Sequence, residues 1–261
     1  MALTVNTNLA SMGALNNLNR TGRSLSDTFT RISSGRRINK AGDDAAGMAV
    51  AENLNAAFRS GRVAMRNTND GISVVQTAEG ATDEVVNVVK RMRELAVQSA
   101  SETLDDDERA YIDQEFDALA AEIDRIAATT EFNGVVLTDG SNTLGVAGQV
   151  GINATSSDQI SISVGDLTTT TLGITTGTVD MATSGGASTA IGLLDAALDD
   201  LNGYRSGYGA VQNRLESSLR NMETYTESLA SAESQIRDAD FAYETSQMAK
   251  NQILQQAGVS I

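Results

Sequence analysis

Large apolar residues recur at seven-residue intervals through the last quarter of the chain: Leu194, Leu201, Tyr208, Leu215, Met222, Leu229 and Ile236. Seven residues make almost two turns of α-helix, so the pattern predicts one long helix with a single apolar seam, from Ala190 to about Lys250. A second apolar position accompanies most of these heptads. Ile191 and Leu198 lie three residues before the first seam members, and Val211, Tyr225, Ala232 and Ala239 lie three residues after later ones. The companion changes sides near Arg205, so the seam drifts around the helix. At 1.5 Å per residue such a helix would be about 90 Å long. Its seven seam residues represent roughly 10 to 20 kcal/mol of gross burial energy, which a lone helix cannot collect.

The partner is predicted within the same chain. From Asp44 to about Ala100 the residues Met48, Leu54, Phe58, Met65, Ile72, Val75, Val85, Val89, Met92 and Leu95 form an apolar face of matching length, loosened but not broken by Gly61, Gly71 and Gly80. Before it, Leu3, Leu9, Met12, Leu15, Leu18, Leu25, Phe29 and Ile32 make a stripe opposite many Asn residues. Asn is a mediocre helix former, so this segment is expected to be disordered in a free subunit and helical once packed. Between the two, Ser33, Ser34, Gly35 and Gly42 mark a connector, with Asp43 or Asp44 capping the next helix. Gly35, Arg36, Arg37 and Lys40 lack the Gly-Lys-Ser/Thr step of a phosphate-binding loop, so a connector is the better reading.

A further helix is predicted over 103–128, with Thr103 as cap and Asp105, Asp106, Asp107 and Glu108 at the positive end of its dipole. Ala110 and Phe116 stand where a calcium-binding loop needs Gly and a bidentate Glu, which argues against a cation site. The grammar then changes to short strands at Phe132–Leu137, Gln149–Ile152 and Gln159–Val164. The Thr-, Ser- and Gly-rich run ending near residue 189 reads as an exposed loop or weak hairpin. Asn19-Arg20-Thr21 and Asn153-Ala154-Thr155 match a glycosylation sequon, a weak signal in an unplaced chain.

Composition narrows the function classes. The 261 residues include 4% aromatics and no Trp or Pro, which fits long helices side by side better than a compact globular core. With no Cys and no His, thiol nucleophiles, disulfides, imidazole catalysis and Cys/His zinc sites are excluded. No carboxylate pair sits in an apolar, Gly-bounded pattern that would mark an acid/base site. The net charge of -15 is uneven: residues 1–70 hold 9 basic and 5 acidic side chains, whereas 71–140 hold 5 and 16. An acidic chain without a clustered basic face is a poor nucleic-acid binder. No apolar run is long enough to span a bilayer, and the start of the chain lacks the charged and apolar regions of a cleaved signal peptide.

The order helix, connector, long helix, helix, small sheet, long helix resembles bacterial flagellin, the filament subunit of the flagellum. The stretches that carry the resemblance are 6–19 (NTNLASMGALNNLN), 31–52 (RISSGRRINKAGDDAAGMAVAE), 89–100 (VKRMRELAVQSA), 122–137 (EIDRIAATTEFNGVVL) and 236–258 (IRDADFAYETSQMAKNQILQQAG). The fold class expected is mainly α: long antiparallel helices in a coiled-coil-like bundle with a small β-hairpin region. The resemblance implies that the two terminal helices pair. It assigns 1–43 and 238–261 to an inner-tube domain with its connecting spoke, and 44–237 to a helical rod with a small β region at 131–189. Residues 141–189 leave no room for the large variable domains of many flagellins.

The resemblance further implies a helical homopolymer exported through the flagellar type III apparatus without a cleaved signal, to an extracellular filament. Its implied partners are a C-terminal export chaperone, the filament cap, the hook-filament junction proteins and the vertebrate Toll-like receptor that senses flagellin; no cofactor, nucleic acid or membrane is among them. Arg91, Leu95, Gln98 and Glu115 fall where related flagellins contact that receptor. These four also fit a filament-packing face. Assembly residues are expected at Leu9, Leu15, Leu18, Leu25, Phe29 and Ile32, and at Phe241, Met248, Ile253 and Leu254. The chain ends at LQQAGVSI, several helical turns short of the usual flagellin, which implies either shortening or a differently built inner tube. Two alternatives share part of this pattern: a hook-filament junction protein and an extracellular adhesin. A protease-bearing flagellin is excluded, because its His-Glu-x-x-His zinc motif needs histidine.

Overall fold

The computed structural model describes residues 8–141, 146–177 and 179–260. Leu3, at the head of the first stripe, lies outside them. The elements are α1 (Leu9–Ser34), α2 (Ala45–Ser99), α3 (Asp106–Thr129), β1 (Glu131–Phe132), β2 (Val135–Val136), β3 (Val146–Gln149), β4 (Gln159–Ile162), α4 (Ser184–Arg237) and α5 (Phe241–Ser260). The molecule is mainly helical, with long antiparallel helices and two small hairpins, as the sequence pattern predicts. Two compact units are distinguished, one comprising residues up to Ser60 and from Tyr225 on, the other Gly61–Thr224.

In the unit 61–224, the seam residues Leu194 and Leu201 are fully buried against Val85, Val89, Met92 and Leu95 of α2 and Phe116 and Ile123 of α3. Farther along α4, Tyr208 and Leu215 pack with Val74 and Val75 and with Leu137, Val150, Ile160 and Ile162 of the hairpin region. The antiparallel sense follows from the ion pairs: Arg93 of α2 meets Asp195 of α4 at 2.6 Å, and Asp83 meets Arg205 at 3.4 Å. Gly71 faces the sheet at close range, since a Cβ there would stand 3.2 Å from Ile162 Cδ1.

Several boundaries differ from the sequence reading, each for a local reason. The cap of α3 is Asp105 and not Thr103. Asp105 accepts from Glu108 N–H at 2.8 Å, and Glu108 accepts in return from Asp105 N–H at 3.3 Å, a reciprocal capping box that two carboxylates three apart can form. The expected strand 132–137 is two two-residue strands around Asn133 and Gly134, both at positive φ (51° and 77°), the conformation a two-residue hairpin turn requires. The second hairpin pairs Val146–Gln149 with Gln159–Ile162, so its first strand lies earlier in the chain than expected. Helix α4 begins at Ser184 and stops at Arg237, so the single helix expected from 190 to 250 is in fact two. Asp240 explains the break: its Oδ1 accepts the Ala242 and Tyr243 N–H groups at 2.9 and 3.1 Å and starts α5 afresh.

The Thr-rich run is not an exposed loop. Leu167, Leu172, Ile174, Val179 and Met181 are all buried in the first core. Hydrogen bonds to the surrounding elements hold their backbone. Leu167 N–H donates to Thr138 O at 2.9 Å, Thr169 N–H and Oγ1 bind the Asp124 carboxylate at 2.9 and 3.0 Å, and Ser99 Oγ donates to Met181 O at 2.7 Å. A polar composition concealed five apolar anchors spaced too irregularly for strand or helix.

Candidate assembly and contact surfaces

Within the terminal unit, α1 and α5 run antiparallel: Arg31 near the end of α1 reaches Glu244 in the first turn of α5 at 3.2 Å, and Gly258 near the end of α5 faces Leu18. Asn8 caps α1 by accepting from Ser11 N–H at 3.1 Å, and Gly35, at φ 69°, ends it in the left-handed conformation. Glu244 is buried, and the Arg31 guanidinium supplies the charge partner that a buried carboxylate needs.

This pairing leaves most of the predicted stripe uncovered. Leu9 is 78% exposed and Ile253 65%; Leu15, Phe29, Phe241 and Leu254 are also exposed, while Leu18, Leu25, Ile32 and Met248 are half-buried. Met12, Tyr243 and Val259 add to the exposed set. A groove of about 770 Å³ runs between the helices, lined by Leu9, Gly13, Leu18, Asn251, Leu254 and Gly258 among others. Isolated exposed apolar side chains are ordinary on a protein surface, but here they form a run along two paired helices.

The connector between α1 and α2 meets the break between α4 and α5. Arg36 and Asp238 form an antiparallel bridge, closed by Arg37 N–H to Arg237 O at 2.7 Å and Ala239 N–H to Gly35 O at 3.0 Å. The Arg37 guanidinium adds a bond to Ile236 O at 2.6 Å. Of the two predicted caps for α2, Asp44 does the capping, by accepting Gly47 N–H at 2.9 Å. Asp43 instead accepts the N–H groups of Asn39 and Lys40, both at 2.9 Å, and these bonds, Lys40 first, hold its carboxyl below the usual carboxylate range. No sequence signal marks the bridge itself, because it rests on main-chain atoms.

The other residues singled out from sequence lie in the unit 61–224. Arg91 Nη2 and Nε both bind Glu115 Oε1, at 2.8 and 3.1 Å, and Nη1 binds Glu94 Oε2 at 3.0 Å. The hydrogen bonds to Glu115 and then Glu94 favour the charged guanidinium and raise the Arg91 pKa above its usual value. Arg91, Gln98 and Glu115 are exposed, whereas Leu95 is 2% exposed and belongs to the core beneath them. The structure thus groups Arg91 with Glu115 and puts the Leu95 side chain inside. Among the described residues no cluster of carboxylates is arranged to hold a metal ion, and no helix is long and apolar enough to cross a membrane.

The chain matches the bacterial flagellin N-terminal helical region over residues 5–143 and the bacterial flagellin C-terminal helical region over residues 191–261. It is 40% identical over 253 residues to a flagellin of Halalkalibacterium halodurans, covering 97% of this chain and 92% of that protein. To the flagellar filament 33 kDa core protein of Treponema phagedenis it is 38% identical over 268 residues, covering 98% and 94%. Among solved structures, the crystal structure of Bacillus cereus flagellin superposes with a TM-score of 0.53 at 33% identity, covering 60% of this chain and 88% of that one.

Proposed function

Since the chain belongs to the bacterial flagellin family, we propose that it is a non-enzymatic structural subunit that polymerises with copies of itself into the extracellular flagellar filament used for swimming. The observation that carries this reading is the apolar surface left uncovered on α1 and α5, at Leu9, Leu15, Phe29, Phe241, Ile253 and Leu254. Leu18, Leu25, Ile32 and Met248 complete the stripe at the margins of the helix pair. Residues 1–43 and 238–261 act as the assembly element and 44–237 as the rod. Neighbouring subunits bury what the isolated pair cannot, and the low helix propensity of the Asn-rich α1 makes its ordering depend on that burial. Export through the type III apparatus with a C-terminal chaperone, and growth beneath a filament cap above the hook-filament junction, complete the proposal. Electron microscopy of purified protein tests it: long tubes are expected, and failure to assemble at any concentration would favour the junction-protein role.

A second reading concerns the exposed face of Arg91, Gln98 and Glu115. The fixed Arg91 guanidinium between Glu94 and Glu115 presents a defined charge pattern of the kind a receptor can read, which supports contact with the flagellin-sensing Toll-like receptor. In this reading Leu95 positions the helix from below and does not touch the partner. Arg91→Ala should lower receptor activation with little change in stability. Receptor signalling unchanged by Arg91→Ala would remove this reading and leave the filament one intact.

A further inference from the structure

We propose that the Met12 thioether is an oxidation site through which hydrogen peroxide keeps unassembled subunits out of the polymer. The proposal rests on the reading of α1 and α5 as the assembly pair. It does not require α1 to be ordered in the free subunit: an unfolded α1 holds this sulfur in water, and a helical one leaves Met12 56% exposed.

The inventory of sulfur sets the chemistry. The chain has no cysteine and 8 methionines, so thioethers are its only sulfur groups. Met92 and Met181 are fully buried in the core of the unit 61–224, sealed from an aqueous oxidant. Met48, Met65, Met222 and Met248 are half-buried, and Met1 lies outside the described residues. Among the described residues, Met12 is thus the one exposed methionine. It stands between Leu9, 78% exposed, and Leu15, 57% exposed, three residues from each and so on the same helix face. The most accessible sulfur therefore lies within the surface that a neighbouring subunit covers in the filament reading.

The step is an oxygen transfer. The sulfur lone pair attacks one oxygen of hydrogen peroxide, the O–O bond breaks, and the departing hydroxide takes up a proton to leave as water. Sulfur is oxidised to the sulfoxide and the peroxide is reduced. A flexible apolar side chain becomes a polar one, whose new oxygen must give up its water when a neighbour covers it. Met92 and Met181 stay reduced, so the core of the unit 61–224 keeps its packing while the assembly surface loses its apolar continuity.

For the test, dilute monomer is treated with hydrogen peroxide, quenched with catalase, mapped by fragmentation mass spectrometry and offered to seeds sheared from filaments of the untreated chain. Met12 should gain its oxygen about ten-fold faster than Met92 or Met181, and about ten-fold faster in monomer than in intact filaments. The oxidised monomer should need about a ten-fold higher concentration to extend seeds. Met12→Leu, which keeps the apolar surface without the sulfur, should extend seeds equally well before and after peroxide, whereas Met248→Leu should stay sensitive. Methionine sulfoxide reductases acting on both sulfoxide epimers should restore extension to the oxidised chain. Oxidation of Met12 no faster in monomer than in filaments would overturn the proposal. So would a chain oxidised at Met12 that extends seeds undiminished, or a Met12→Leu variant that peroxide disables as it does the unmodified chain. Failure of the untreated chain to form filaments would instead count against the assembly reading, since the order in which the sulfurs oxidise is measured on the monomer alone.

Discussion

Arg109 shows how much one side chain can settle. It is 5% exposed, and its guanidinium donates to the carbonyls of Ser99, Ser101 and Leu104, closing the end of α2 and the turn into α3. Arg109→Ala should leave those carbonyls unsatisfied and lower stability by about 1–3 kcal/mol, read as a drop in the urea midpoint. Acid sensitivity has an equally local origin. Asp166 is pushed up by burial, but the hydrogen bonds from Thr171 and Thr168 outweigh this and hold its pKa below the ordinary carboxylate value. A folded pKa below the unfolded one gives stability that is present above the unfolded value and lost as pH falls through the folded one. The region around Asp166 should therefore loosen below the ordinary carboxylate range, and Asp166→Asn should flatten the acid limb of the stability profile. At the alkaline end, burial raises the Tyr208 hydroxyl, so its contribution is complete below the ordinary phenol value and is lost as pH rises through the raised one.

At the scale of elements, the two departures from the sequence pattern are the informative ones. The Thr-rich segment behaves as core, so Ile174→Ala should cost about 2–5 kcal/mol, as at any well-packed interior position, where an exposed loop would lose almost nothing. Equilibrium urea unfolding checks this directly. The helix break is a matter of caps. Asp240→Ala removes the acceptor for two N–H groups at the start of α5 and should cost about 1 kcal/mol of local stability, seen as faster amide exchange in the first turn of that helix. Much of this scale was legible beforehand: α2 begins one residue after its predicted cap, and the α4 seam is buried through Leu215. The Thr-rich core was not, because five apolar residues at irregular spacing carry no periodic signal. Nor was the bridge between Arg36 and Asp238, whose bonds lie in the main chain.

At the scale of the whole molecule, the proposed function rests on surfaces the folded chain leaves uncovered. Phe29→Ser and Ile253→Ser should leave monomer unfolding within about 0.5 kcal/mol of the unmodified chain, because both side chains are already exposed, yet they should reduce filament formation sharply in electron micrographs. Circular dichroism on monomer and polymer checks the folding half of the proposal. Helix content should rise on assembly, and terminal helices fully formed in the dilute monomer would remove coupled folding from the account.

The sequence by itself determined the helical class, the intramolecular partnership of α2 with α4 and the stripes on the two chain ends. Periodicity encodes which face of an element is apolar, and a seven-residue repeat states it many times over. The absence of His and Cys likewise restricted the available chemistry without reference to any coordinates. Only the tertiary structure decided which apolar residues find a partner within the chain. Leu95 and Ile174 are enclosed while Leu9 and Ile253 are not, although all four are large and aliphatic. The physical reason is that burial depends on the neighbours that distant parts of the chain supply, and a local pattern does not contain them.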